Sequence, residues 1–205
     1  MPPTPPVIVQ VPKKEPMPQR YRLRFGAVLP LRAMLTSRLL SASLLLALVA
    51  SLPACGKTGA PPPSAPSALL DGNVPEFQRP SFDAATAIDT NALRGKVVVI
   101  KFFAKYCEPC KRTLPELEAL HQSHADVVFV GVGEDENVSD VKAMVQQFGL
   151  TFPVIHDVAN VLSGRFRVRE MPMTFVVGKQ GQVRWVGGPA QTGSDVEAAI
   201  VAAGR

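Results

Sequence analysis

Apolar positions along the chain fall into short unbroken runs that alternate with stretches of helical spacing. The densest run is Val97, Val98, Val99 and Ile100, resumed by Phe102 and Phe103 after Lys101. A continuous apolar stretch of this length fits a strand buried on both faces. Gly95 breaks the chain ahead of it, so the expected strand covers 96–103. Leu114, Leu117, Leu120 and His121 then recur at helical spacing, which predicts a helix to about Ser123, kinked at Pro115. A second apolar run covers 127–132, and Val138, Val141, Met144, Val145 and Phe148 predict an amphipathic helix stopped by Gly149.

Shorter signals complete the pattern. Residues 151–155 read as a strand, 158–162 as a helical segment, and 174–177 with 183–186 as a hairpin around the 179–182 turn. Ser194 and Glu197 are spaced as a capping box for a closing helix to Ala203. Upstream, Phe77 and Phe82 can anchor short edge strands, and Asp89 or Thr90 can cap a turn through Leu93. Strands alternating with helices and ending in a hairpin predict an α/β fold, a mixed central sheet flanked by helices.

The first third of the chain has a different character. Residues 1–33 are rich in proline and arginine and carry no core-forming period, so they read as disordered or as lying upstream of a true start at Met34. From Met34, Arg38 precedes a charge-free run over 39–52 and then Pro53, Ala54 and Cys55; residues 34–54 read as an export signal. Residues 55–73 are rich in Pro, Ala and Ser and read as a tether, with the folded domain at 74–205. The net charge of +5 does not point to nucleic acid. Residues 1–54 hold seven basic residues and one acidic, whereas 55–205 hold fifteen basic and sixteen acidic.

Candidate chemistry sits where the central strand meets its helix. Cys107 and Cys110 are three positions apart, so one helical turn brings their sulfurs within bonding reach, and Pro109 suits a first turn because its missing amide hydrogen has no helical partner there. Cys107 then faces the free amides and positive end of the helix, which lowers a thiol's pKa and makes thiolate available near neutral pH. Cys110, one turn further in, is the expected resolving thiol. A zinc site built with His121 and His124 competes, but the spacing is not that of a zinc finger, and a domain of this size needs no metal to fold.

The stretch Phe102-Phe103-Ala104-Lys105-Tyr106-Cys107-Glu108-Pro109-Cys110, with Leu114-Pro115-Glu116-Leu117 and Met171-Pro172-Met173-Thr174-Phe175, resembles the thioredoxin superfamily, specifically its membrane-anchored thiol-disulfide oxidoreductases of the TlpA/ResA type. The resemblance implies a thioredoxin-like fold with N-terminal edge strands and a central insert. It also implies a cis Pro172 across from the dithiol, with Met171 touching an extended substrate, and Tyr106, Glu108 and Pro109 bordering the substrate. Glu134, or Glu136 beside it, would assist proton transfer. At Lys101 the chain departs from the family, which places a buried aspartate or a neutral amide there; lysine cannot replace that carboxylate, and its charge must find water or a partner. Arg165, Arg167 and Arg169 read as a solvated face.

Leu52-Pro53-Ala54-Cys55 resembles a bacterial lipobox, which would make Cys55 a lipidated first residue. The whole then reads as a monomeric protein-disulfide reductase exported to the bacterial envelope, with a periplasmic domain held at a membrane by its N-terminal anchor. Its partners would be exported proteins with disulfides and a membrane dithiol electron donor. The redox-active Cys107–Cys110 pair would serve without metal or organic cofactor, and a role in cytochrome c maturation or envelope redox balance fits. Two rivals share the fold. A peroxide-reducing redoxin expects a proline and a hydroxyl where this chain has Ile100 and Ala104, and a copper-delivery metallochaperone would need His156 as third ligand.

Overall fold

The computed structural model describes residues 59–205. Cys55, the 34–54 export signal and the 1–33 segment lie outside the described residues. A five-stranded sheet forms the centre, built from β3 (Val98–Phe103), β4 (Val128–Gly133), β5 (Val154–His156), β6 (Met173–Val177) and β7 (Val183–Gly187) in the order β5-β4-β3-β6-β7. β3, β4 and β5 run parallel, while β6 and β7 are antiparallel additions. A separate antiparallel pair, β1 (Gln78–Pro80) with β2 (Ala87–Asp89), precedes them. The expected mixed sheet is present, with each long strand close to its apolar run.

β3 is buried along its whole length because both faces are covered. Val97, Val99 and Phe103 pack on one face with α1 (Glu108–Ser123), α2 (Val138–Phe148) and α4 (Gly193–Ala203). Val98, Ile100 and Phe102 pack on the other with Phe77, Ile88 and α3 (Val161–Phe166), which follows a short 3₁₀ turn at Val158–Asn160. On that second face Phe102, Phe166 and Phe175 form a triad with centroids 5.1 to 5.8 Å apart. Each such pair adds roughly 0.5–1.5 kcal/mol beyond its buried area.

α1 runs unbroken from Glu108 through Pro115 to Ser123. α2 ends where expected, at Gly149, whose φ of 60° is the left-handed conformation that favours glycine. Two expectations shift. Asp89 ends β2 and its carboxylate accepts the Asn91 N–H at 2.9 Å, closing a tight turn in place of a capped helical one. The box that opens α4 is Thr192 with Asp195, not Ser194 with Glu197: the Thr192 hydroxyl accepts the Asp195 N–H at 3.3 Å, and the Asp195 carboxylate accepts the Thr192 N–H at 2.9 Å. The helix starts earlier because Thr192 is already extended and oriented to cap.

Part of the segment read as tether is packed on the domain. Ser64 N–H donates to Val186 O at 3.0 Å, Asp71 N–H to Val183 O at 2.8 Å, and the Trp185 indole to Pro62 O at 3.3 Å. Ala65 is buried there. Residues 62–73 therefore run along β7 and cover its outer edge. Among the described residues no helix is long and apolar enough to cross a membrane.

Candidate active site

The C-terminal ends of β3 and β4 open at one pole of the sheet, and the site is built there. Beyond Phe103 the chain turns through Ala104, Lys105 and Tyr106, and Cys107 becomes the N-cap of α1 in extended conformation. Its Sγ accepts the Cys110 N–H at 3.1 Å, so the sulfur occupies the place of a capping oxygen. Cys107 and Cys110 are joined as a disulfide with their Cα atoms 5.3 Å apart. Cys107 retains 5% exposure and Cys110 none. The outer sulfur is thus the one an incoming group can meet.

The Met171–Pro172 peptide that enters β6 is cis. Met171 is half-buried against the cluster that holds both cysteines, and Pro172 is buried. Tyr106 stands out at 72% exposure beside the disulfide, an aromatic surface facing water. Glu108 is exposed and ion-paired with Lys111, while Pro109 is half-buried in the first turn of α1.

Glu134 follows directly on β4, and its N–H donates to Phe103 O at 3.0 Å, which ties it to the end of β3. Its carboxyl is half-buried with Oε1 lacking a hydrogen-bond partner. Burial pushes its pKa up, against a hydrogen bond from Ser163, and the Asp157 and Asp135 charges add to the rise. Burial raises the Tyr106 phenol as well, helped by Glu134 and Asp135. Glu136, the competing candidate, is exposed.

Asp135 is the residue that sequence reasoning passed over. It is buried, and its two carboxylate oxygens accept the Lys105 N–H at 3.0 and 3.1 Å, fixing the loop that presents Cys107. Its carbonyl accepts the Nε2–H of His156 at 2.8 Å. Nothing in an acidic run of Glu134-Asp135-Glu136 distinguishes the buried member in advance. His156, the third ligand of the copper reading, is engaged by that carbonyl at the end of β5, with β4 between it and β3. Among the described residues no group of three or more His, Cys, Asp or Glu side chains is placed to hold a metal ion. His121 lies edge-on to Phe129 and Phe152, and His124 caps the end of α1.

The AhpC/TSA family profile matches residues 71–186, more than half of the chain and all of the site. The chain belongs to the AhpC/TSA family. Within that family its similarity runs to the expected type. It is 31% identical over 108 residues to the thiol-disulfide oxidoreductase ResA of Geobacillus kaustophilus, covering 51% of this chain and 61% of the relative. Against the ResA of Bacillus subtilis it is 30% identical over 98 residues, covering 47% and 55%. The match thus spans about three fifths of these relatives' length. In fold it resembles a secreted Mycobacterium tuberculosis disulfide oxidoreductase homologous to E. coli DsbE, with TM-score 0.57 and 22% identity over 62% of this chain and 96% of that one. It is similar also to a putative thiol:disulfide interchange protein DsbE from Chlorobium tepidum, with TM-score 0.59 and 22% identity over 64% and 94%. The fold is thioredoxin-like.

Proposed function

We propose that this AhpC/TSA-family protein is an extracytoplasmic thiol-disulfide oxidoreductase that reduces protein disulfides through Cys107 and Cys110. The observation that carries the reading is Cys107 at the N-cap of α1, its sulfur on the Cys110 amide and within one turn of its partner. Relatives bearing the name thiol-disulfide oxidoreductase support it. In the reduced protein the Cys107 thiolate attacks a substrate disulfide, and one substrate sulfur leaves with the electron pair of the broken bond. Cys110 then attacks Cys107, the mixed disulfide breaks, and the second substrate sulfur leaves as thiolate; water protonates both. Two electrons pass to the substrate and the Cys107–Cys110 disulfide re-forms.

Each neighbour has a task in this scheme. The amide and the positive end of α1 stabilise the Cys107 thiolate. The backbone at Met171 and the exposed Tyr106 ring receive an extended substrate segment. Glu134 holds or accepts a proton beside the sulfurs, a task suited to a carboxyl raised by burial. The dithiol itself is the redox group, restored by a membrane dithiol donor. Export by residues 34–54 and lipidation at Cys55 would hold the domain at the bacterial envelope, where protein disulfides persist. Apocytochrome c cysteines or other exported proteins would be its substrates.

Mixing the protein with a disulfide-bonded model protein tests this reading. The Cys110→Ser variant is expected to accumulate a mixed disulfide through Cys107, and Cys107→Ser to form none. Equal trapping by both variants, or by neither, would overturn it.

A further inference from the structure

Lys101 is a chargeable side chain that, among the described residues, has a hydroxyl and no carboxylate as its direct hydrogen-bond partner. It stands mid-sheet on β3, between Gly131 of β4 and Thr174 of β6, with no exposure at all. Side chains alternate along a strand, so Lys101 shares the face of Val99 and Phe103, the face that α1 and the two cysteines cover. Its Nζ donates to Thr174 Oγ1 at 3.4 Å, a long contact. The same oxygen accepts the Gln191 Nε2–H at 2.8 Å, and the Gln191 Oε1, also buried, has no partner.

Two charged groups act on the amine, both from α1. Glu116 favours the ammonium but spends Oε2 on the Gly193 N–H at 2.7 Å, while Arg112 opposes it and donates to the carbonyls of Pro189 and Gln191. The neighbouring strand positions, Gly131 and Thr174, carry no charge. Burial outweighs both charges and brings the amine down to about 7. A group so placed does not serve stability, because desolvating an amine costs more than one long hydrogen bond returns.

Its setting changes charge with redox state. The disulfide is neutral, whereas the reduced pair can carry a thiolate at the N-terminal end of the same helix. Resting on the redox reading above, we propose that Lys101 is a positioning residue that acts through the dithiol as its counter-charge, taking up a proton when the Cys107–Cys110 disulfide is reduced and releasing it when the disulfide re-forms. On reduction by an external dithiol, two electrons break the sulfur–sulfur bond; one of the donor's two protons ends on a cysteine sulfur and the other on Lys101, leaving thiol, thiolate and ammonium. On oxidation by a substrate disulfide the two electrons leave with the substrate sulfurs, which receive the thiol and ammonium protons through water. The ammonium stabilises the reduced form, so it raises the potential of the couple and lowers the pKa of the thiol that ionises.

The test compares the full chain with its Lys101→Met variant, in which a side chain of similar length loses its charge. Two quantities are read: the equilibrium constant for reduction by glutathione at pH 7, and the thiolate absorbance of the reduced protein against pH. In Lys101→Met the equilibrium constant is expected to fall about tenfold, equivalent to about 30 mV for a two-electron couple, and the thiolate titration to move about one pH unit upward. Thr174→Val, which removes the acceptor shared by the Lys101 ammonium and the Gln191 amide, should shift both in the same direction and provides the reading if Lys101→Met does not fold. An unchanged constant and titration in a wild-type couple that is itself reversible would overturn the role of Lys101 alone. Absence of any reversible couple in the wild type would overturn the redox reading and this inference with it.

Discussion

Replacing Lys101 by methionine should stabilise the disulfide form, and the gain should depend on pH in a defined way. In the unfolded chain the amine titrates at 10.5, and in the folded protein burial lowers this to about 7. Above 10.5 neither state holds the proton and the lysine carries no ionisation penalty. As pH falls from 10.5 toward 7 the unfolded chain takes up a proton that the folded one refuses, so wild-type stability declines by about 1.4 kcal/mol per pH unit. Below about 7 the full penalty is present. The gap between 10.5 and about 7 makes it about 5 kcal/mol, a large share of the roughly 5–15 kcal/mol that holds a domain together. Methionine removes the titration, while Thr174 Oγ1 keeps the Gln191 donor. Urea unfolding of both proteins at intervals from pH 6 to 9.5 gives the difference curve directly, and contributions from all other groups cancel in it. The variant should lead by several kcal/mol at pH 6, and its lead should narrow as pH rises past 7. Parallel curves, or a lead that widens with pH, would refute the buried, charge-averse lysine.

Three further substitutions probe the site and its supports. Glu134→Gln freezes the side chain in its neutral shape, so the disulfide-exchange rate should fall by about 10²-fold at neutral pH and lose an inflection that lies above the usual carboxylate range; because its pKa is raised on folding, the same change should add stability at neutral pH and little at pH 4, read by urea midpoints. Asp157→Ala removes the carboxylate that accepts the Leu162 and Ser163 N–H groups at 2.9 and 2.8 Å, a loss of about 1–2 kcal/mol by denaturant titration. Gly187→Ala drives a Cβ into the Gln191 Oε1 and the Trp185 ring, so a thermal melt should show a destabilisation of about 3 kcal/mol.

What could be read from the residues follows from how local the cause was. The strands at 98–103 and 128–133 declare themselves because burial on both faces demands continuous apolar runs. Cys107, Pro109 and Cys110 fit the start of a helix through rules that act within one turn. Lys101 is the opposite case: whether it reaches water depends on Thr174 and Gln191, 73 and 90 positions away, and on the helix laid over them. Residues 62–73 look like linker because their composition is rich in proline and small residues, yet their backbone groups bond to β7 more than a hundred positions downstream. The α4 cap illustrates a closer contest. Two polar pairs of the same spacing overlap at 192–197, and only the path of the chain out of β7 selects Thr192 with Asp195.

The proposed function requires Cys107 and Cys110 to form a reversible couple poised to reduce other disulfides. Its most direct measurement is the reduction potential of the full chain, by equilibration with dithiothreitol or glutathione and counting of trapped thiols. A single two-electron transition on the reducing side, in the region of about −270 mV, is the predicted result. A potential near about −120 mV would make the protein a disulfide donor, and the absence of a reversible transition would contradict the claim altogether.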